Sequence, residues 1–174
     1  FYSFPAFLPI WETKLGFSKT SLTGAYTLSL IVAAIFAPFV GRFIDKGSGN
    51  LVFSLGTVLA FSCLFLLSKA TEIWHFYLLW FYMGIALSCS LYEACFAFLT
   101  TTMANNARRA ITFVTLAAGF GGTISFSSAH FLTQFFGWRS AILVFSLVLL
   151  IVNLPLVWSA TKMLNKFSKG FVKQ

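Results

Sequence analysis

Two of the four acidic side chains in this sequence are placed where a carboxylate could do chemistry. Glu93 is the single charge in the run 73–107. A lone carboxyl in apolar surroundings is costly, so such a group normally faces a cavity or a partner, where it can bind a cation or a polar solute or exchange a proton. Tyr92 stands beside it, roughly 100° around a helix, and can bring a hydroxyl to the same cavity. Asp45 sits between Arg42 and Lys46, four residues after Gly41. An acid in that setting caps a helix start or pairs with a cation, and either interaction breaks when helices move. Gly41 has no Cβ and would let a neighbouring helix come close.

Other reactive residue types form no constellation. Cys63, Cys89 and Cys95 all fall inside apolar runs and read as buried free thiols. His75 and His130 lie near the ends of different runs, without cysteines at ligand spacing, so no metal site is predicted. His130 reads as an interfacial histidine. There is no Walker loop, nucleophile elbow, HExxH or dinucleotide fingerprint. The expectation is a protein that is not an enzyme and has no bound cofactor.

The elements that must hold Glu93 and Asp45 follow from composition. Of 174 residues, 59% are hydrophobic, 19% aromatic and 9% charged, against about 25% charged in soluble domains. So few charges cannot cover a water-facing globule, and so much apolar surface excludes disorder. The gaps between charges span 1–11, 20–41, 47–68, 73–107, 110–138 and 140–161. A helix needs about 20 apolar residues to cross a bilayer, so all but the first gap qualify. Long continuous runs argue against β-barrel strands. The first run lacks the basic start and the cleavage site of a signal peptide. It reads as the end of a truncated first helix.

The predicted class is an all-α membrane protein, a multi-pass helical bundle. It has five complete transmembrane helices plus the stump of a first, in one domain over 1–161. The spans are 1–11 in part, 20–41, 51–68, 74–101, 110–136 and 140–161. A basic tail or linker follows over 162–174 and would lie on an anionic membrane surface.

Lys and Arg set the orientation. Eight cations (Arg42, Lys46, Arg108, Arg109, Lys162, Lys166, Lys169 and Lys173) fall on one side, and Lys14, Lys19, Lys69 and Arg139 on the other. The richer side is expected to be cytoplasmic, in an inner (plasma) membrane of bacterial type. The basic residues are divided among short loops, so no nucleic-acid partner is expected. The bilayer is one expected partner.

Helical phase gives finer expectations. If the fourth span ends near Thr101, Glu93 lies eight residues, or about 12 Å, inside the boundary. Ala86, Cys89, Ser90, Ala97 and Thr100 would share its face, while Leu87, Leu91 and Phe98 would face lipid. Glu93 would then point into the bundle. Ala118, Gly122, Ser125 and Ala129 form a narrow small-residue stripe suited to close helix packing. Pro38 and Pro155 would each permit a bend. Trp11, Trp74, Trp138 and Trp158 fall near span ends, as in aromatic belts, whereas Trp80 lies deeper. The 23 phenylalanines read mainly as lipid-facing surface rather than an aromatic binding box.

The loop Gly41-Arg42-Phe43-Ile44-Asp45-Lys46-Gly47-Ser48-Gly49 resembles the signature cytoplasmic loop of the major facilitator superfamily, G-x-x-x-D-[RK]-x-G-[RK]. Leu15-Gly16-Phe17-Ser18 with Leu22-Thr23-Gly24 resembles that family's approach to its second helix. Phe136-Gly137-Trp138-Arg139 resembles its tight turn between the fifth and sixth helices, and Ala107-Arg108-Arg109-Ala110 its basic loop between the fourth and fifth. The resemblance covers essentially the whole chain, as the amino-terminal six-helix half. There are departures: Ser48 stands where Gly is frequent, and Gly49 where a basic residue is usual. Trp80 replaces an Arg four residues before Gly84. The fifth helix has no Gly-Pro pattern, so an antiporter label is unsupported.

The resemblance implies secondary active transport of a small-molecule solute by alternating access. Glu93 and Tyr92 would lie near the solute path. Gly41, Arg42, Asp45 and Lys46 would form a latch for the outward-facing state, closed against a missing carboxy-terminal half or a second copy. The alternative is a multi-span membrane scaffold or assembly partner that transports nothing.

Overall fold

The computed structural model describes residues 2–103 and 106–171. Among them the chain forms seven α-helices and no strand: α1 (Phe4–Leu15), α2 (Lys19–Phe43), α3 (Gly49–Leu67), α4 (Ile73–Ser90), α5 (Tyr92–Met103), α6 (Ala107–Val148) and α7 (Leu154–Phe171). Three continuous stretches, Lys19–Leu67, Ile73–Met103 and Ala107–Leu164, are long and apolar enough to cross a membrane.

Glycines make the turns. Gly47 has φ +83° between α2 and α3, and Gly137 has φ +77° and ψ 161° within α6. A side chain disfavours both conformations, the second most strongly. Proline makes a different feature. The chain widens into a π-helical turn over Leu149–Asn153, just before Pro155. Pro155 has no N–H for the carbonyl four residues back, and its ring crowds that carbonyl, which favours the wider turn.

Several boundaries differ from those expected. The first helix runs past Trp11 to Leu15, where Gly16 closes it with φ +70° and an N–H bond to the Glu12 carbonyl. Phe1 lies outside the described residues. Arg108 and Arg109 belong to the first turn of α6 rather than to a loop. Beyond 161 the backbone stays helical to Phe171. Lys173 and the side chains of Lys166 and Lys169 lie outside the described residues.

α4 is the hub, with α2 on one flank and α3 on the other. Small residues permit both contacts. A Cβ on Gly84 would lie 2.6 Å from the Ser29 carbonyl and 2.7 Å from Val32 Cβ. One on Gly56 would lie 2.6 Å from Cys89 Cβ. Lipid tails are as apolar as leucine, so this close contact, rather than water exclusion, is what holds such helices together. By contrast, no described atom lies within 4 Å of the position a Gly41 Cβ would occupy.

Aromatic rings lock α1 into the bundle. Phe4 stacks on Tyr26 at 4.3 Å and meets Trp80 edge-on at 5.1 Å. Trp11 meets Phe76 at 5.1 Å and Trp138 at 6.3 Å. Trp11 is 1% exposed and Trp138 8%, so these two are core residues and not members of a surface belt. Trp74 and Trp158 are exposed at 73% and 50%, as a belt requires. Many of the phenylalanines are exposed, including Phe39, Phe113, Phe120 and Phe135.

The bundle's two ends can be told apart by contacts. Arg139 Nη1 donates to the Ser68 carbonyl at 2.7 Å, and Phe17 meets Phe76 at 5.5 Å. These contacts place Arg139, the 68–72 turn and the 16–18 turn at one end. Thr161 Oγ1 donates to Asn50 Oδ1 at 2.7 Å, which places Lys162 at the other end with the Asp45 loop.

Candidate functional site

The span that carries Glu93 is not one helix. Leu91 is extended, with φ −77° and ψ 178°. α4 closes with the Leu91 N–H on the Leu87 carbonyl, and α5 opens with the Cys95 N–H on the Leu91 carbonyl. The break shifts the helical phase, so the face expected from a continuous helix over 86–100 does not hold. Leu87 and Phe98 are buried at 9% and 4%, not turned to lipid. Glu93, Ser90 and Thr100 are exposed on the surface of this chain.

Glu93 therefore does not point into the core of this bundle. It stands in the first turn of α5. Free backbone N–H groups and the helix dipole favour a carboxylate there. A mid-span acid has become a helix-start acid, and its carboxylate is open to a partner.

Tyr92 is tied to the start of the chain. Its hydroxyl lies 3.0 Å from that of Tyr2. The Tyr2 ring in turn covers Gly122, whose Cβ would sit 3.6 Å from the ring. Thus Tyr2, just before α1, meets α5 and α6 at Tyr92 and Gly122. Ala118, Gly122 and Ser125 are half-buried and Ala129 is fully buried, along the inward side of α6 before Gly137.

Behind this junction lies a cavity of about 290 Å³ between α1, α3, α4 and the two limbs of α6. Phe4, Phe7, Trp80 and Phe145 give it an apolar wall; Ser90, Ser125 and Asn153 add polar groups. Asn153 donates to Thr57 Oγ1 at 3.5 Å. The indole N–H groups of Trp11 and Trp80, two more lining residues, are buried without a partner among the described residues.

At the cation-rich end, Arg42, Asp45 and Lys46 are all exposed. None of them forms an ion pair or a side-chain hydrogen bond among the described residues; Arg42 lies 5.7 Å from the centre of the Phe39 ring. The loop is nevertheless anchored. Ile44, 1% exposed, packs in a cluster with Val40, Val52, Cys89, Ala94 and Phe98. That cluster joins the loop bearing Asp45 to the helix bearing Glu93. Gly49 lies directly against the Phe98 ring, so the long basic residue usual at that position in the family's loop would collide with it.

Sequence reasoning missed Ile44, Tyr2 and the break at Leu91. The break did leave a signal: an acid far from any charge is itself suited to a helix start. Tyr2 left none, because its partner is 90 positions away.

The cysteines play no visible part here. Cys63 donates to the Leu79 carbonyl at 3.0 Å, and all three are free thiols. His75 accepts from the Glu72 backbone N–H at the start of α4, and His130 lies 3.1 Å from Gln134 Nε2. Among the described residues no three His, Cys, Asp or Glu side chains are grouped to hold a metal ion.

Compared with known proteins, residues 1–170 match the family model of the Major Facilitator Superfamily. No curated protein and no solved structure matches the chain.

Proposed function

Because the chain belongs to the major facilitator superfamily, whose members are transporters rather than enzymes, we propose that it supplies one half of a secondary transporter moving a small-molecule solute by alternating access. The observation that carries this reading is the family match over residues 1–170. The other half of the transporter is a carboxy-terminal repeat or a second copy.

Length supports five crossings. Lys19–Leu67 has 49 residues, which at 1.5 Å each is about 74 Å, more than twice a ~30 Å hydrocarbon core. In this reading it crosses twice, turning at Gly47. The same reasoning divides Ala107–Leu164 at Gly137, while Ile73–Met103 crosses once through the break at Leu91. The cation-rich end is cytoplasmic by the positive-inside rule, in an inner (plasma) membrane of bacterial type.

In this reading Glu93 and Tyr92 lie on the surface that meets the other half and contact the solute or its coupling ion. Asp45, with Gly41, Arg42 and Lys46, closes against the other half in the outward-facing state. Its lack of any ion pair among the described residues leaves it available for that contact. The stripe Ala118, Gly122, Ser125 and Ala129 lets the fifth span slide against α1.

The test is uptake. Vesicles containing the chain together with its second half, challenged with a panel of labelled solutes, are expected to accumulate one chemical class and to exchange it in counterflow. Saturable binding of a partner protein without exchange of any solute would replace transport with a scaffold role.

A further inference from the structure

A surface groove of about 820 Å³ runs between α3 and the start of α7, away from the Glu93 junction. Its character changes along its length. At the cation-rich end it is lined by Gly47, Ser48 and Asn50. Further along α3 the lining residues are Leu51, Leu55 and Val58, each exposed between 42% and 60%. Leu154, Pro155 and Trp158 form the opposite wall. Val58 lies eight residues beyond Asn50, or about 12 Å deeper along the helix.

Two further observations say what fits this groove. The first is charge. Lys46 directly precedes Gly47, and Lys162 directly follows Thr161, whose hydroxyl bonds Asn50. With Arg42 these exposed cations face one acid, Asp45, and no ion pair neutralises them among the described residues. The second is polarity. Ser48, Asn50 and Ser54 all fall in the part of the α3 wall nearest the cations, and only apolar residues line it beyond them.

We propose that the groove binds one anionic phospholipid. Its phosphate lies among Lys46, Lys162, Ser48 and Asn50, and an acyl chain runs from Leu51 past Leu55 to Val58, against Trp158 and then Pro155 and Leu154. Order along the groove matches order along the lipid: charge and polar groups first, then hydrocarbon. A second protein would have no need of that gradient. The inference rests on the membrane-crossing reading but not on transport.

Trp158 is the reporter. The chain is reconstituted in phosphatidylcholine vesicles containing about 20 mol% phosphatidylglycerol, a mildly anionic surface. Either the glycerol lipid or the same fraction of choline lipid carries brominated acyl chains, which quench indole fluorescence at contact. Trp158→Phe, subtracted from the parent, isolates the Trp158 signal. That signal is expected to be quenched at least about twofold more by the anionic lipid, and Lys46→Gln with Lys162→Gln to abolish the preference, each lysine contributing up to about fivefold in local lipid affinity. Equal quenching by the two lipids would overturn the site, as would a preference that survives the double substitution or persists in Trp158→Phe. If no brominated lipid quenched any tryptophan, the site and the membrane-crossing reading would fall together. The two lysines are exposed, so the variant retains the fold.

Discussion

At the scale of single residues, Glu93 is an exposed carboxylate in the first turn of α5, where the helix start favours its charge and a partner can reach it. Its isolation within an apolar run marked it as a group needing a partner. Its direction was not legible, because a helical wheel assumes one phase and Leu91 resets that phase. As a result Phe98, expected to face lipid, is core, and Glu93, expected to point into the bundle, is exposed on the surface of this chain. If Glu93 contacts the solute or a coupling proton, Glu93→Gln removes one charge-assisted hydrogen bond while keeping the shape. Uptake by the complete transporter is then expected to fall roughly tenfold or more, with its pH dependence flattened. Uptake and pH profile both unchanged would remove Glu93 from the mechanism. Tyr92→Phe is a milder change. Losing the hydroxyl contact with Tyr2 should cost about 0.6 kcal/mol, as membrane hydrogen bonds do on average, and lower the unfolding temperature slightly. If the hydroxyl also contacts the solute, uptake falls by more than this thermal change accounts for; unchanged uptake would leave Tyr92 with the Tyr2 contact alone.

At the scale of elements, the helical class was legible because charge is so scarce, and the loop 41–49 carried the family resemblance in a few residues. Which glycines do the packing was not legible. Gly41 attracted attention as part of a motif, yet the contacts that set the α2–α4 and α3–α4 distances are at Gly84 and Gly56. No spacing rule separates these from Gly119 and Gly121, which have open space around them. The distinction depends on what lies across the interface. Gly84→Val would drive methyl groups into Ser29 and Val32 and is expected to destabilise by about 1–3 kcal/mol. Gly119→Val, in open space, should be close to neutral. Thermal melts of the two variants in detergent make the comparison, and equal losses would deny α2–α4 contact its stabilising role. Gly137→Ala tests the other use of glycine: at φ +77° and ψ 161° a methyl group imposes about 1–3 kcal/mol of backbone strain without any steric neighbour.

At the scale of the whole molecule, the sign and position of charges connect sequence to membrane. Counting Lys and Arg separates two sides, and contacts gather the corresponding turns at two ends: Arg139 with the Ser68 carbonyl at one, Thr161 with Asn50 beside the Asp45 loop at the other. Neither contact could be read from the sequence, since they join positions 71 and 111 apart. Together they make topology testable with single cysteines. Lys69→Cys and Lys162→Cys, in a background where Cys63, Cys89 and Cys95 are replaced by serine or alanine, should lie on opposite faces of the bilayer. In sealed right-side-out vesicles an impermeant maleimide is expected to label position 69 and spare position 162, with the pattern reversed in inverted vesicles. Labelling of both from one side would require an even number of crossings between them. Three crossings over this interval need the break at Leu91 to lie inside one span while Gly137 separates two. A reversed pattern would keep that count and turn the protein over, placing the Asp45 loop outside and contradicting the positive-inside reading. The same two labels thus separate the crossing pattern from 69 to 162, which the break at Leu91 and the turn at Gly137 determine, from the orientation, which the lysines and arginines determine.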